Sequence, residues 1–150
     1  MKKYWLMKSE PTEYSIDDLK NDGKTFWEGI RNYQARNFMM KDMKVGDEVL
    51  FYHSSCKIPA VVGIAKVCTL ATPDPTCWSK RSKYYDEKSS KDNPRWFAVT
   101  VKFVKKFKHP VSLEMIKENK RLKNMLVIKK GMRLSIQPVE KNDFEEIKNM

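Results

Sequence analysis

Apolar residues in this chain come in short runs rich in aromatic and β-branched side chains, broken by turn residues at irregular intervals, and this punctuation limits the fold more than any other feature. Tyr4-Trp5-Leu6-Met7 leads into Lys8-Ser9-Glu10-Pro11, so a buried strand is predicted to end near Pro11. Glu48 to His53 and Ala60 to Leu70 predict two strands joined through Ser54-Ser55-Cys56-Lys57. Trp96 to Phe103 predicts another, and Met125 to Ile128 and Leu134 to Gln137 predict two short ones flanking Gly131.

The helical signals are equally short. Ser15 is a plausible N-cap with Asp17 and Asp18 in the positive first turn, which reads those two carboxylates as capping groups, and Asn21-Asp22-Gly23 stops the helix. Asn32 to Met43 places Ala35, Phe38, Met39 and Met43 at helical spacing, Ser112 caps a turn or two through Lys117, and Asn142 to Lys148 closes the chain. About six strands and four short helices without regular βαβ alternation predict an α+β fold, a mixed and mostly antiparallel sheet or small barrel. A length of 150 residues fits one domain spanning 1–150. The polar segment 79–95 reads as a long exposed loop.

Composition narrows the chemistry. No stretch approaches the apolar length of a membrane span and the N-terminus lacks a secretory pattern, so a cytoplasmic protein, or a nuclear one in a eukaryote, is expected. Cys56, Cys68 and Cys77 are not spaced as a metal or redox pair and only His53 and His109 could assist them, so no metal and no cofactor are expected. The glycine-rich phosphate loops, the H-E-x-x-H helix and the nucleophile elbow are all missing from a chain with 5 glycines. Ser54, His53 and Asp47 cannot easily form a triad, because neighbours on a strand point to opposite faces. A non-enzyme is expected.

The net charge of +11 is concentrated: residues 76–139 carry 17 Lys/Arg against 5 Asp/Glu, whereas residues 1–75 carry 11 against 10. Such a field draws polyanions, nucleic acid first, although 24 of the 30 basic residues are Lys and a lysine-rich surface also arises from compositional bias alone. Four segments combine flat rings with hydrogen-bonding groups at strand ends: Lys8-Ser9-Glu10-Pro11, Trp27 to Tyr33, Phe51-Tyr52-His53-Ser54 and Arg133 to Pro138. Base recognition needs that combination, since a ring stacks on an aromatic face while polar groups read its edge.

Those segments, extended to Lys3–Pro11, Trp27–Phe38 and Arg133–Val139, resemble in content and order the signature segments of the EVE domain family, over nearly the whole chain. The resemblance implies a PUA-like fold, a β-barrel flanked by short helices, and a non-catalytic role in binding a modified base, a modified cytosine or similar, in DNA or RNA. Ile58-Pro59-Ala60, in place of a glycine-containing turn, and the lysine- and serine-rich 79–95 loop depart from the expected pattern. Trp27, Tyr33 and Tyr52 are the expected stacking walls, and Ser9, Asn32, Ser54 and Gln137 the expected readers of the base edge. Lys8, Arg31, Arg36 and Arg133 are expected to hold backbone phosphates or lock the pocket; the alternative for the arginines is a buried ion pair to Glu10 or Glu28. A monomer is expected, bound to nucleic acid and not to a membrane. The competing readings are a pocket for a free nucleotide or other small ring compound, and an enzyme or a protein-interaction module.

Overall fold

The computed structural model describes residues 2–150. Six strands form one mixed sheet curled into a half-barrel: β1 (Tyr4–Ser9), β2 (Lys24–Phe26), β3 (Glu48–His53), β4 (Ala60–Val67), β7 (Thr100–Ser112) and β8 (Ile136–Val139), in the spatial order β2-β7-β4-β3-β1-β8. Only β1 and β3 run parallel; the other neighbours are antiparallel. A separate two-residue pairing joins β5 (Thr72–Pro73) to β6 (Phe97–Ala98).

Strands β1 and β3 read as unbroken apolar runs because both faces of the sheet are covered. Trp5, Met7, Val49 and Phe51 enter a core on the face packed by α1 (Ile16–Asp22) and α2 (Tyr33–Asn37). Leu6, Leu50, Tyr52, Val61 and Ile64 alternate into a second core, closed by α3 (Leu113–Glu118) and α4 (Lys141–Lys148) through Ile116, Phe144 and Ile147. Asp47, 1% exposed, ties the start of the sheet together: its carboxylate accepts from the Lys3 backbone N–H, the Trp5 indole N–H and the Lys44 N–H, each at 3.0 Å.

The cap at Ser15 forms with Asp18, whereas Asp17, also read as a capping group, accepts from Lys106 of β7 at 2.7 Å. The Ser15 hydroxyl accepts from Asp18 N–H while the Asp18 carboxylate accepts from Ser15 N–H at 2.8 Å, a reciprocal capping box. Helix α1 lies so close to the sheet that a side chain at Gly63 would strike the Lys105 carbonyl and come within 2.8 Å of Ile16 Cδ1. The predicted helix over 32–43 instead starts at Tyr33 and relaxes after Asn37 into a π-helical turn, Phe38–Asp42, closed by Met43 N–H on the Phe38 carbonyl.

Other boundaries differ as well. The strand expected over 125–128 is a 3₁₀ turn, Leu126–Ile128, whose Val127 packs into the second core. The strand expected over 134–137 begins two residues later, at Ile136. The strand expected over 96–103 splits into β6 and the start of a much longer β7, and β2 had no signal of its own. No helix among the described residues is long and apolar enough to cross a membrane.

Candidate nucleic-acid interface

A cleft of about 430 Å³ opens where the end of β1, the turn before α1 and the stretch leaving β2 converge. Lys8, Ser9 and Glu10 line it from the end of β1, Glu13 and Tyr14 from the turn before α1, Thr25 to Ile30 from β2 and the stretch after it, and Lys83 and Tyr84 from the 79–95 segment. Trp27 lines the cleft, 8% exposed and set edge-on against Phe51 at 5.6 Å. The Ser9 hydroxyl donates to the Tyr14 carbonyl at 2.5 Å, which fixes the turn over which the cleft opens.

The Trp27-Glu28-Gly29-Ile30-Arg31 segment is held by a buried carboxylate. Asp74, 1% exposed, accepts from Gly29 N–H at 2.8 Å, from Thr76 N–H at 2.9 Å and from the Thr76 hydroxyl at 2.6 Å, and pairs with the Arg31 guanidinium at 3.4 Å. Arg31 in turn donates to the Tyr84 carbonyl through Nε (2.9 Å) and Nη2 (2.6 Å). The Tyr84 ring lies across Gly29, whose φ of +86° and missing side chain make room for it: a Cβ there would be 2.6 Å from the ring. Across the mouth, Lys83 Nζ meets a Glu13 carboxylate oxygen at 2.8 Å.

Burial pulls the Lys8 ammonium below its usual range, and no carboxylate pairs with it among the described residues. Burial, reinforced by the acceptor Asp22 at 2.8 Å, pushes the Tyr14 hydroxyl up to about 12, so it stays a neutral donor. The cleft can therefore offer a planar ligand aromatic surface, a cation, several carboxylates and hydroxyl groups.

Of the expected residues, the structure brings Lys8, Ser9 and Trp27 together at this cleft. Tyr52 sits elsewhere: it is 3% exposed on the opposite face of the sheet from Phe51, with Lys8 Nζ 6.0 Å from its ring. Asn32 caps α2, its Oδ1 accepting from Ala35 N–H at 2.9 Å. Tyr33, 47% exposed, stacks on Trp96 at 4.8 Å beneath the Arg36 guanidinium, and Arg36 also donates to the Arg95 carbonyl at 2.8 Å. Ser54 is joined to this region only through its backbone, donating to the Ser9 carbonyl at 3.0 Å. Gln137 is 1% exposed and donates to the Leu134 carbonyl at 2.8 Å. Arg133 is exposed. Arg31 ties the Tyr84 carbonyl to its own segment, and its carboxylate partner is Asp74, neither Glu10 nor Glu28. Tyr84 and Lys83, from the segment read as a plain exposed loop, are the functional candidates that sequence reasoning missed; a tyrosine among lysines in a polar stretch was the signal available.

Comparison with known proteins agrees with this architecture. Thymocyte nuclear protein 1 of Gallus gallus is 42% identical over 161 residues, covering 95% of this chain and 66% of that protein, so the chain spans about two thirds of that relative's length. The structure of a hypothetical protein from Leishmania major superposes with a TM-score of 0.95 at 43% identity, covering 100% of this chain and 94% of that one. The human THYN1 protein, solved in complex with 5-methylcytosine containing DNA, superposes with a TM-score of 0.89 at 41% identity, covering 97% of this chain and 95% of that one. The PUA-like α+β fold expected from the sequence is the fold observed. The EVE domain model matches residues 3–150, and the chain belongs to the EVE domain family.

Proposed function

We propose that this protein is a non-catalytic reader of a modified base in nucleic acid, with 5-methylcytosine in DNA as its first ligand to test. The observation that carries the reading is the human THYN1 protein in complex with 5-methylcytosine containing DNA, similar to this chain along nearly all its length. The cleft supports it: Trp27 and Tyr84 offer ring surface, and Ser9, Tyr14, Glu10 and Glu28 offer polar groups for an edge.

Energetics set the terms. Stacking a base on an aromatic ring is worth roughly 1–3 kcal/mol, while extracting one from a duplex costs a few kcal/mol. The cleft alone comes close to breaking even on duplex, so phosphate contacts must supply the rest. Lys8 and Lys83 both line the cleft and are the candidates for that role; the Lys8 ammonium, without a carboxylate partner among the described residues, lies 6.0 Å from the Tyr52 ring. A single methyl group discriminates by only about 1–3 kcal/mol, so selectivity over the unmodified base is expected in the range of tens to a few hundredfold.

The test is anisotropy titration of matched oligonucleotides, DNA and RNA, with cytosine or 5-methylcytosine at one position. Tyr84→Ala and Trp27→Phe are expected to erase most of the preference while the melting temperature of the Tyr84 variant stays near wild type. A wild-type chain that binds both oligonucleotides equally, or a Tyr84→Ala variant that keeps the full preference, overturns the reading.

A further inference from the structure

Charge on the sheet is arranged in register. Lys24 on β2 stands opposite Lys102 on β7, and Lys102 stands opposite Lys66 on β4, so three lysines form one cross-strand row. Residues directly opposed in an antiparallel pair share a face, and like charges so placed repel. Among the described residues none of the three makes an ion pair. The next residue in register, Glu48 opposite Lys66, lies 4.0 Å from Lys2 and ends the row. Beyond the row, β7 carries Lys105 and Lys108, both exposed and also without a carboxylate partner among the described residues.

From this row we infer a second contact surface, a sequence-independent clamp for the phosphate backbone of nucleic acid. It rests on the proposed binding of nucleic acid and places part of the clamp away from the base cleft. Neighbouring strands lie about 4.8 Å apart, so the row spans roughly 10 Å, room for two or three phosphates at about 3.4 Å of axis per nucleotide. Lysines suit such a clamp because they are point charges on flexible stems that meet phosphate without reading bases. Lys66 and Lys102 alternate with Ala65, Val67 and Val101, which enter the first core, so the row lies on the other face of the sheet, with Lys24 one residue before Thr25 and Phe26 of the cleft lining. An anionic membrane is the poorer partner, since the exposed part of β7 offers a single large apolar side chain, Val104.

The full chain and its Lys24→Gln/Lys66→Gln/Lys102→Gln variant are titrated with an unmodified duplex and with the same duplex carrying 5-methylcytosine, over roughly 50–300 mM salt. The variant is expected to lower the slope of log affinity against log salt by about 2–3 on both duplexes, and to leave the ratio of the two affinities unchanged within about twofold. A matched Lys117→Gln/Lys120→Gln/Lys123→Gln variant, which removes the same charge elsewhere, is expected to move the slope by less than about 1. A row variant with the wild-type slope overturns the inference, as do equal slope losses in both triples or loss of phosphatidylserine-vesicle binding with DNA binding intact. Should the triple variant melt well below wild type, the exposed single variants Lys24→Gln and Lys102→Gln decide, each expected to cost about 0.9 in slope. Absence of any preference for 5-methylcytosine in the wild type counts against the cleft reading alone, because the slope on unmodified duplex is read separately.

Discussion

Gly29 shows how much of this site hangs on one missing side chain. Its left-handed backbone costs a residue with a Cβ about 1–3 kcal/mol, and the same Cβ would have to push the Tyr84 ring aside. Gly29→Ala is therefore expected to lower the melting temperature by about 3–10 °C and to weaken nucleic-acid binding further by displacing a cleft wall. Thermal melts alongside titrations check this, and a variant that melts and binds like wild type would remove Tyr84 from the site. His53 sets a pH dependence of a different origin. Its Nε2 accepts from the Ile16 N–H at 3.1 Å, at the start of α1, and burial, with Lys106 adding to it and Asp17 opposing it, holds its pKa below the usual value. The folded chain thus binds its proton less readily than the unfolded chain, so stability is complete above the unfolded value, near 6.5, and is lost as pH falls toward the folded one. Chemical denaturation between about pH 7.5 and 5 should show this decline, and His53→Phe should flatten it; a slope that survives the substitution would assign it to another group.

At the level of elements, what the sequence displayed depended on whether a segment carries its own signal. The Ser15 N-cap, β1, β3 and α4 were legible because local chemistry and apolar pattern agree there. Strand β2 was not, since Lys24-Thr25-Phe26 has no alternation long enough to read and is a strand only because β7 extends past it. The 3₁₀ turn over Leu126–Ile128 was misread for the opposite reason: a short apolar run fits a strand and a buried turn equally well. The site divided along the same line. Ser9 and Trp27 could be placed from their motifs, whereas the loop bringing Tyr84 is ordered by distant partners: Arg31 on the Tyr84 carbonyl, and the Trp96 indole donating to Asp86 at 2.7 Å. Lys83 and Glu13 join that loop to the turn before α1 with both side chains more than half exposed, so the pair adds little to stability. Its consequence is expected at the mouth of the cleft. Glu13→Gln should release Lys83 for phosphate and speed association at low salt, Lys83→Gln should slow it, and both should melt within a degree or two of wild type. Stopped-flow association checks the pair, and identical rates in all three proteins would leave the ion pair without a part in binding.

Across the whole molecule the six-stranded sheet serves two cores, and that arrangement governs how it unfolds. Strands β1, β3 and β4 send alternate residues to opposite faces, so neither core can form without the backbone the other depends on. Leu19 lies on one side and Phe144 on the other, both 0% exposed. Truncating either leaves a cavity in close-packed surroundings, costing about 2–5 kcal/mol for Leu19→Ala and about 3–5 kcal/mol for Phe144→Ala, a large share of the roughly 5–15 kcal/mol that holds a domain folded. If the shared strands couple the two faces, each variant lowers one common transition, and circular dichroism, tryptophan fluorescence and calorimetry report the same midpoint. Trp5 and Trp27 sit in the first core, so their fluorescence follows the face that Phe144 does not touch. A Phe144→Ala protein whose calorimetric trace splits in two, with the tryptophan signal following only one of the transitions, would show that the faces fold as independent units, and with them the cleft, which is built on the first face alone.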